Sequence, residues 1–310
     1  MLRYGENPHQ RAAYYVEPLA GGSCVTGAEL LNGKELSYNN LGDVDAAVAL
    51  VKEFYESEPV CVAIKHAAPC GVACGADSRE AFGLAYEADP VSIFGGVLAF
   101  NRLLDGPCAL AANEIFLETI IAPEYTDEAL NILKRKQNLR VLLLKDISCV
   151  SAPEKSALTY KKISGGLLLQ DTDKKVYEKC EKIDYKLVTK ARVSDKQIEE
   201  LVFAMKVCKH VKSNAIVVAK GRQTLGIGGG SVSRIWAAQA ALARAGELAK
   251  GAVMASDAFF PFDDVVAECS KAGISAIIQP GGSVNDQLSI DACDRHGLAM
   301  IFTGVRHFKH

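Results

Sequence analysis

An α/β protein built from two like halves is what this chain predicts, and three observations predict it. Short apolar runs of strand length alternate with segments of helical periodicity from residue 44 to the C-terminus. The order of these elements repeats, with Val97 matching Val253 and Ile120 matching Ile277 at a common offset of about 156 residues. A polar, lysine-rich stretch separates the two series. The expected organisation is a first unit over residues 1–150, a connector over 151–193 and a second unit over 194–310.

Residues 1–43 are rich in Gly, Asn and Pro and read as irregular. The apolar face Val44, Ala47, Val48, Val51 and Phe54 predicts a helix over 44–56. A strand over 60–64 delivers Lys65 and His66 into the turn Ala67-Ala68-Pro69-Cys70-Gly71. A helix over 79–88 is broken by Pro90, and 94–100 reads as a glycine-hinged buried strand. A helix over 109–118, a strand over 119–123, a helix over 127–136 and a strand over 141–144 complete the first series. Between the series lie Lys155, Lys161, Lys162, Lys174, Lys175, Lys179, Lys182 and Lys186, readable as a basic surface or as a solvated connector. Ser194 and Gln197 form a capping box for a helix that turns Ile198, Leu201, Val202 and Met205 to a core. The second series then runs as a strand over 215–219, a glycine-rich turn, an alanine-rich helix over 232–248 and a strand over 252–255. A helix ending at Gly273, a strand over 276–280, a helix ending at Gly297 and a strand over 298–302 follow.

Composition narrows the function classes. The 310 residues are 49% hydrophobic and 23% charged, with a formal net charge of -2, so no basic field is present to hold nucleic acid or an acidic membrane. No apolar run reaches bilayer length and the N-terminus has no signal-peptide pattern, which predicts a cytoplasmic protein with reduced cysteines. Cys70 and Cys74 lack the spacing and the second pair of a zinc site, and no His-x-Glu precedes them.

Several constellations carry chemistry. Lys65 supplies a fixed positive charge and His66 a group that gives or takes a proton near neutral pH, both at the rigid end of a strand. Gly226-Ile227-Gly228-Gly229-Gly230-Ser231 is either an anion-holding turn or a turn for close packing, and it lacks dinucleotide and P-loop spacing. Gly281-Gly282-Ser283 carries the same two readings. Asn214 is either a substrate-orienting amide or a turn former, while Arg3 and Arg306 are phosphate grips or surface arginines. In Asp257-Ala258-Phe259-Phe260-Pro261-Phe262-Asp263-Asp264, aromatic residues beside carboxylates suit either a pocket for a fused nitrogen heterocycle or the core.

Taken together, 2–10 (Leu-Arg-Tyr-Gly-Glu-Asn-Pro-His-Gln), Lys65-His66, 89–96 (Asp-Pro-Val-Ser-Ile-Phe-Gly-Gly), Ser213-Asn214, 255–262 and the terminal Arg306-His307-Phe308-Lys309-His310 closely resemble the AICAR transformylase domain of bifunctional purine biosynthesis proteins. The resemblance runs in order through essentially the whole chain. It implies transfer of the formyl group of 10-formyltetrahydrofolate to the 5-amino group of AICAR, on a tandem pair of cytidine-deaminase-like α/β/α units without zinc. By the same resemblance Lys65 and His66 are the catalytic pair, and Asn214 orients the amine and carboxamide. Arg3, Tyr4 and Arg306 hold the phosphate, with Ser92, Phe94 and Gly95 at the base. Phe259, Pro261, Asp264 and Ile235 line the folate. A homodimer with sites at the subunit interface is implied, with room for a monovalent cation.

The cyclohydrolase domain of such proteins would precede residue 1, so no IMP cyclohydrolase activity is expected, whether the chain is a stand-alone transformylase or a truncated one. Ala68 stands where bacterial relatives carry Asn, and Ser231 where many carry Gln. The competing readings are a deaminase-like hydrolase, a nicotinamide-dependent enzyme, and a catalytically silent nucleotide- or folate-binding subunit serving a separate cyclohydrolase. The missing zinc motif and the missing dinucleotide fingerprint oppose the first two, and the joint presence of Lys65, His66 and Asn214 opposes the third.

Overall fold

The computed structural model describes residues 1–17, 23–147, 158–173 and 185–310. Strand β1 (Glu29–Asn32) and helix α1 (Tyr38–Lys52) are followed by β2 (Val60–Lys65), β3 (Ala68–Cys74), α2 (Ser78–Ala88), β4 (Val97–Phe100), α3 (Gly106–Asn113), β5 (Thr119–Ala122), α4 (Asp127–Leu133) and β6 (Arg140–Leu143). A hairpin of β7 (Leu158–Ile163) and β8 (Gly166–Asp171) and the short β9 (Lys186–Leu187) come next. The rest comprises α5 (Asp195–Cys208), β10 (Ile216–Lys220), β11 (Gln223–Gly228), α6 (Arg234–Ala245), β12 (Val253–Ser256), α7 (Asp264–Ala272), β13 (Ala276–Gln279), α8 (Asp286–His296) and β14 (Ala299–Phe302).

Helices α1 to α5 each begin where a side chain satisfies one of the first backbone donors. The Ser194–Gln197 capping box opens α5 as read from the sequence, and a second box, Ser37–Asn40, opens α1 six residues before the predicted start at 44. That cap and β1 correct the reading of residues 1–43 as irregular. The turn after Lys65 and the glycine-rich segment are also corrected, because their residues enter β3 and β11. Each of these strands folds back on its predecessor through a two-residue turn, His66-Ala67 or Gly221-Arg222.

Twelve strands form one mixed sheet in the order β1-β6-β5-β4-β2-β3-β11-β10-β12-β13-β14-β9. Outward from the β3–β11 seam the two sides match. β3-β2-β4-β5-β6 and β11-β10-β12-β13-β14 each pair antiparallel twice and then parallel twice. One face is covered by α1 and α5, whose apolar residues merge with both sides of the sheet in a single core. The other face carries two separate cores, one with residues of α2–α4 and one with residues of α6–α8. Cys74 belongs to the shared core, whereas Cys70 packs against one of the separate ones. The β-bulge between β2 and β3 falls at Cys70, the residue skipped between the Ala63–Gly71 and Ile64–Pro69 pairs, and burial pushes both thiols up to about 12.

Gly71 and Gly228 show why helices lie so close to the seam strands. A Cβ on Gly71 would stand 2.1 Å from Ala85 O of α2, and one on Gly228 would stand 2.0 Å from Ala237 O of α6. The glycine-rich segment therefore serves close packing in its strand part. Of the connector lysines, Lys161 and Lys162 lie on the exposed β7, and Lys186 pairs with Phe302 to add an edge strand. Lys155, Lys174, Lys175, Lys179 and Lys182 lie outside the described residues. Among the described residues no helix is long and apolar enough to cross a membrane.

Beneath the shared core Glu53, following α1, meets Lys209 and His210, following α5. Lys209 Nζ is 2.7 Å and His210 Nε2 3.0 Å from Glu53 Oε1. Burial lowers the His210 pKa below its ordinary 6.5 despite the hydrogen bond to Glu53. Burial alone would raise Glu53, but His210 and Lys209 hold it below the usual carboxylate value.

Two outcomes are expected. Gly228→Ala should cost about 1–3 kcal/mol of stability by overpacking, read as a lower urea midpoint at unchanged slope. Both depressed groups bind fewer protons in the folded chain, so stability should be full above pH 6.5, the ordinary histidine value, and fall as the pH drops towards the folded value of His210. In urea titrations from pH 7 to 5, His210→Gln should flatten that decline.

Candidate active site

The strand registers bring the chemistry to one edge of the sheet. Lys65 ends β2 beside Ala68, and β11 climbs from Gln223, beside Ala73, to Gly228, beside Ile216. The start of β10 is therefore at the same edge as the end of β2. Val97 pairs with Ile64 and Ser256 with Ile216, so the segment before β4 and the segment after β12 emerge there too. β13 and β14 run parallel to β12 and end at this edge. The His66 turn, Ser92 to Gly95, Asn214, the 229–231 loop, Phe259 to Asp264 and the tail bearing Arg306 thus share one rim. For β12–β14 this is the carboxyl edge, where ligands bind open α/β sheets.

The Lys65 ammonium donates to Phe94 O, which ties it to the segment before β4. Gly95, at φ 71, lies close by, with its N–H on Phe116 O at 2.8 Å. Phe94 is exposed and its ring lies 5.4 Å from that of Phe116. His66 is exposed at the tip of its turn. Ser92 N–H donates to Asp89 Oδ1 at 2.8 Å, and Arg244 of α6 donates to Asp89 Oδ2 at 2.6 Å. Burial opposes ionisation of Asp89, but Ser92 and Arg244 outweigh it and hold the carboxyl below its usual value.

On the other side of the seam the Asn214 amide is held at both ends. Its Nδ2 donates to Ser231 O at 2.9 Å, and its Oδ1 accepts from Arg234 Nη2 at 2.7 Å. The peptide between Ser213 and Asn214 is cis. Arg234 is buried and also donates to Ser256 Oγ at 2.8 Å and Asp257 Oδ1 at 2.5 Å. Fully buried Asp257 further accepts from Ala215 N–H at 3.1 Å and from Ser213 Oγ at 2.5 Å. The sequence reading missed Arg234, and it set Asp257 only among the carboxylates beside the aromatic run rather than in this network. The signal available was a charged residue opening an otherwise alanine-rich helix, and a carboxylate directly after a buried strand. Ser231 contributes its backbone carbonyl to Asn214, a contact that a different side chain there would leave in place.

The tail is knitted to the same network. Ser213 N–H donates to Lys309 O at 2.9 Å, and His307 N–H to Asp257 O at 2.9 Å. The buried His307 ring meets Asp173 Oδ2 at 2.6 Å. The Arg306 guanidinium lies 4.4 Å from the Phe308 ring centroid. Arg3 stacks on Tyr4 at 5.4 Å in an N-terminal loop that Asn39 of α1 holds through Glu6 O at 3.3 Å.

Of the aromatic run, Phe260 is core, Phe262 is exposed, and Phe259 and Pro261 are half-buried. Asp264 opens α7 and accepts from Val265 N–H at 2.8 Å, and Ile235 packs partly into the α6–α8 core. The Gly281-Gly282-Ser283 loop is closed on itself, since Asp286 accepts from the N–H groups of Gly282 at 2.7 Å and Ser283 at 3.2 Å. Among the described residues no three His, Cys, Asp or Glu side chains converge as a metal site. No hydrogen bond, ion pair or ring contact among them joins Lys65 or His66 to Asn214, Arg3 or Arg306 within one chain. A cavity of about 390 Å³ lined by Leu31, Pro123, Tyr125 and Lys145 lies at the opposite edge, beyond the ends of β5 and β6.

Residues 1–244 match the AICARFT/IMPCHase bienzyme family. The chain is 52% identical over 309 residues to the bifunctional purine biosynthesis protein PurH of Acetivibrio thermocellus, and 51% identical over 313 residues to that of Caldicellulosiruptor saccharolyticus. Both alignments cover 100% of this chain and 59% of the relative, so the chain spans about three-fifths of the curated relatives' length. The solved structure of Acinetobacter baumannii RibD, form 2, overlaps 33% of this chain and 32% of its own at 16% identity and a TM-score of 0.25, too little to define a fold.

Removing Arg234 strands a buried carboxylate. Arg234→Ala should destabilise the chain by about 3–5 kcal/mol, whereas Asn214→Ala, which takes away only a half-buried amide, should cost about 1–2 kcal/mol. Chemical denaturation of the two variants side by side checks the order.

Proposed function

The chain belongs to the AICARFT/IMPCHase bienzyme family, and from that premise we propose that it transfers the formyl group of 10-formyltetrahydrofolate to the 5-amino group of AICAR, giving FAICAR and tetrahydrofolate. The observation that carries this reading is the shared rim. Lys65 and His66, distant in sequence from Asn214, emerge with it at one edge of one sheet, with Phe94, Phe259 and the tail bearing Arg306 beside them.

His66 is exposed and takes the proton from the attacking amine. Lys65, anchored on Phe94 O, stabilises the oxyanion of the tetrahedral intermediate or protonates the departing folate nitrogen. Asn214 orients the amine and carboxamide of AICAR. The amine is a poor nucleophile because the imidazole and the carboxamide withdraw its lone pair. Positioning therefore counts as much as proton transfer, and effective molarity supplies roughly 7 kcal/mol or more. Arg3, Tyr4 and Arg306 grip the phosphate, and Ser92, Phe94 and Gly95 line the base. Half-buried Phe259 and Pro261 beside the Asp264 carboxylate suit a flat, polar-edged heterocycle, which supports the folate assignment together with Ile235.

The matching strand order of the two sides supports a tandem of cytidine-deaminase-like units, with the 151–193 segment as connector. The distribution of site residues without mutual contact supports a homodimer whose sites form between subunits. The protein acts in the cytoplasm in this reading, which leaves room for a monovalent cation.

The test is spectrophotometric release of tetrahydrofolate from 10-formyltetrahydrofolate with and without AICAR. Release should depend on AICAR and fall at least about a hundredfold in His66→Ala. A folded wild-type chain that releases none would leave a silent nucleotide- or folate-binding subunit as the reading.

A further inference from the structure

We propose that Asp43 is the positioning residue of the His66 turn, and that its carboxylate holds the left-handed backbone that presents the imidazole at the rim. The inference rests on His66 being the reacting group described above. His66 and Ala67 form the whole turn between β2 and β3, with φ of 53° and 57°. Positive φ at both central residues is the pattern of a type I′ turn, which favours Asn-Gly or Gly-Gly. Here neither position is glycine or asparagine, so the turn's own residues disfavour the conformation in which they are held.

Asp43 supplies what the turn lacks. Its Oδ1 accepts from Ala67 N–H at 2.7 Å, reaching across from α1. The helix is a firm platform, opened by the Ser37–Asn40 box and packed through fully buried Val44, Ala47 and Leu50. Burial raises the Asp43 pKa, the Ala67 N–H and the nearby His66 oppose that rise, and Glu118 adds to it. The titratable groups facing Asp43 are therefore His66 on the turn itself and Glu118 just before β5.

The matching turn at the opposite edge of the sheet is built the same way. Gly221-Arg222 has φ of 59° at both residues, and Glu200 of α5 accepts from Gly221 N–H at 2.9 Å. There a glycine already tolerates the geometry. In the His66 turn the histidine occupies that first position, and the helix carboxylate has correspondingly more to do.

The experiment compares Asp43→Ala, Asp43→Asn and the double variant Asp43→Ala/Ala67→Gly in steady-state kinetics, with amide hydrogen exchange at Ala67. Asp43→Ala should lower kcat about a hundredfold, the scale of a small displacement of a reacting group, with little change in the KM for AICAR. Asp43→Asn keeps an acceptor and should retain most of kcat. Ala67→Gly should restore activity to Asp43→Ala, because glycine adopts positive φ without a side-chain clash. The Ala67 amide should stay protected in the wild type and Asp43→Asn and exchange fast in Asp43→Ala. An active wild type whose Asp43→Ala variant keeps its kcat overturns the inference, as does a double variant no better than Asp43→Ala. An inactive wild type overturns the functional reading instead, and the positioning role falls with it.

Discussion

The rim depends on how β3 and β11 meet. A single residue pair, Gln223 with Ala73, sets the backbone register across the seam, and Arg222 O accepts from Cys74 N–H at 3.0 Å. One step further, the buried Thr224 hydroxyl takes over, accepting from Val72 N–H at 3.0 Å and donating to Val72 O at 3.2 Å. A side chain thus satisfies backbone groups that would otherwise be buried without partners. Because this junction is antiparallel, the second half is turned end for end relative to the first. The closing end of β2 and the opening end of β10 therefore share an edge.

Two buried polar networks fix the halves on either side of that junction. Glu53, Lys209 and His210 join the ends of α1 and α5 beneath the shared core, and Arg234 and Asp257 organise the start of β10. Buried ion pairs contribute little net stability against a well-packed apolar alternative, but they penalise any arrangement that separates the partners. Their effect here is geometric. Arg234 decides which end of the Asn214 amide faces inward, and Asp257 decides where Ser213 and the C-terminal tail lie.

The rim also shows a division of labour. Groups assigned to bonding changes, Lys65 and His66, project from the tight end of a hairpin, while groups assigned to binding lie on loops and on the tail. Hairpin ends are held by the ladder behind them, and loops adapt to a ligand. The two ends of the sheet differ accordingly. The rim carries open side chains, whereas at the other end Arg222 is paired with Glu58.

Much of this was legible in the chain. Apolar runs such as 97–100 and 276–279 are buried on both faces, as the central strands of a sheet covered by helices on both sides must be, so strand identity follows from composition. The Ser194–Gln197 box and the glycines closing α7 and α8 are local chemistry, set by neighbours in sequence. The placement of Lys65 at a strand end and the repeated order of elements were equally visible. By contrast β3 and β11 were hidden, because their glycines read as turns until the facing helices, Ala85 and Ala237, supply the reason for having no Cβ. Likewise Phe260 and Phe262 look alike in sequence, yet one is fully buried and the other exposed. Sequence by itself determined which segments are strands and helices and which residues can do chemistry, since those properties depend on side chains a few residues apart. Only the tertiary structure decided that Lys65 and Asn214 share a rim, that Arg234 holds the Asn214 amide and that Asp43 meets the turn after Lys65, since those contacts depend on the register of strands far apart in the chain.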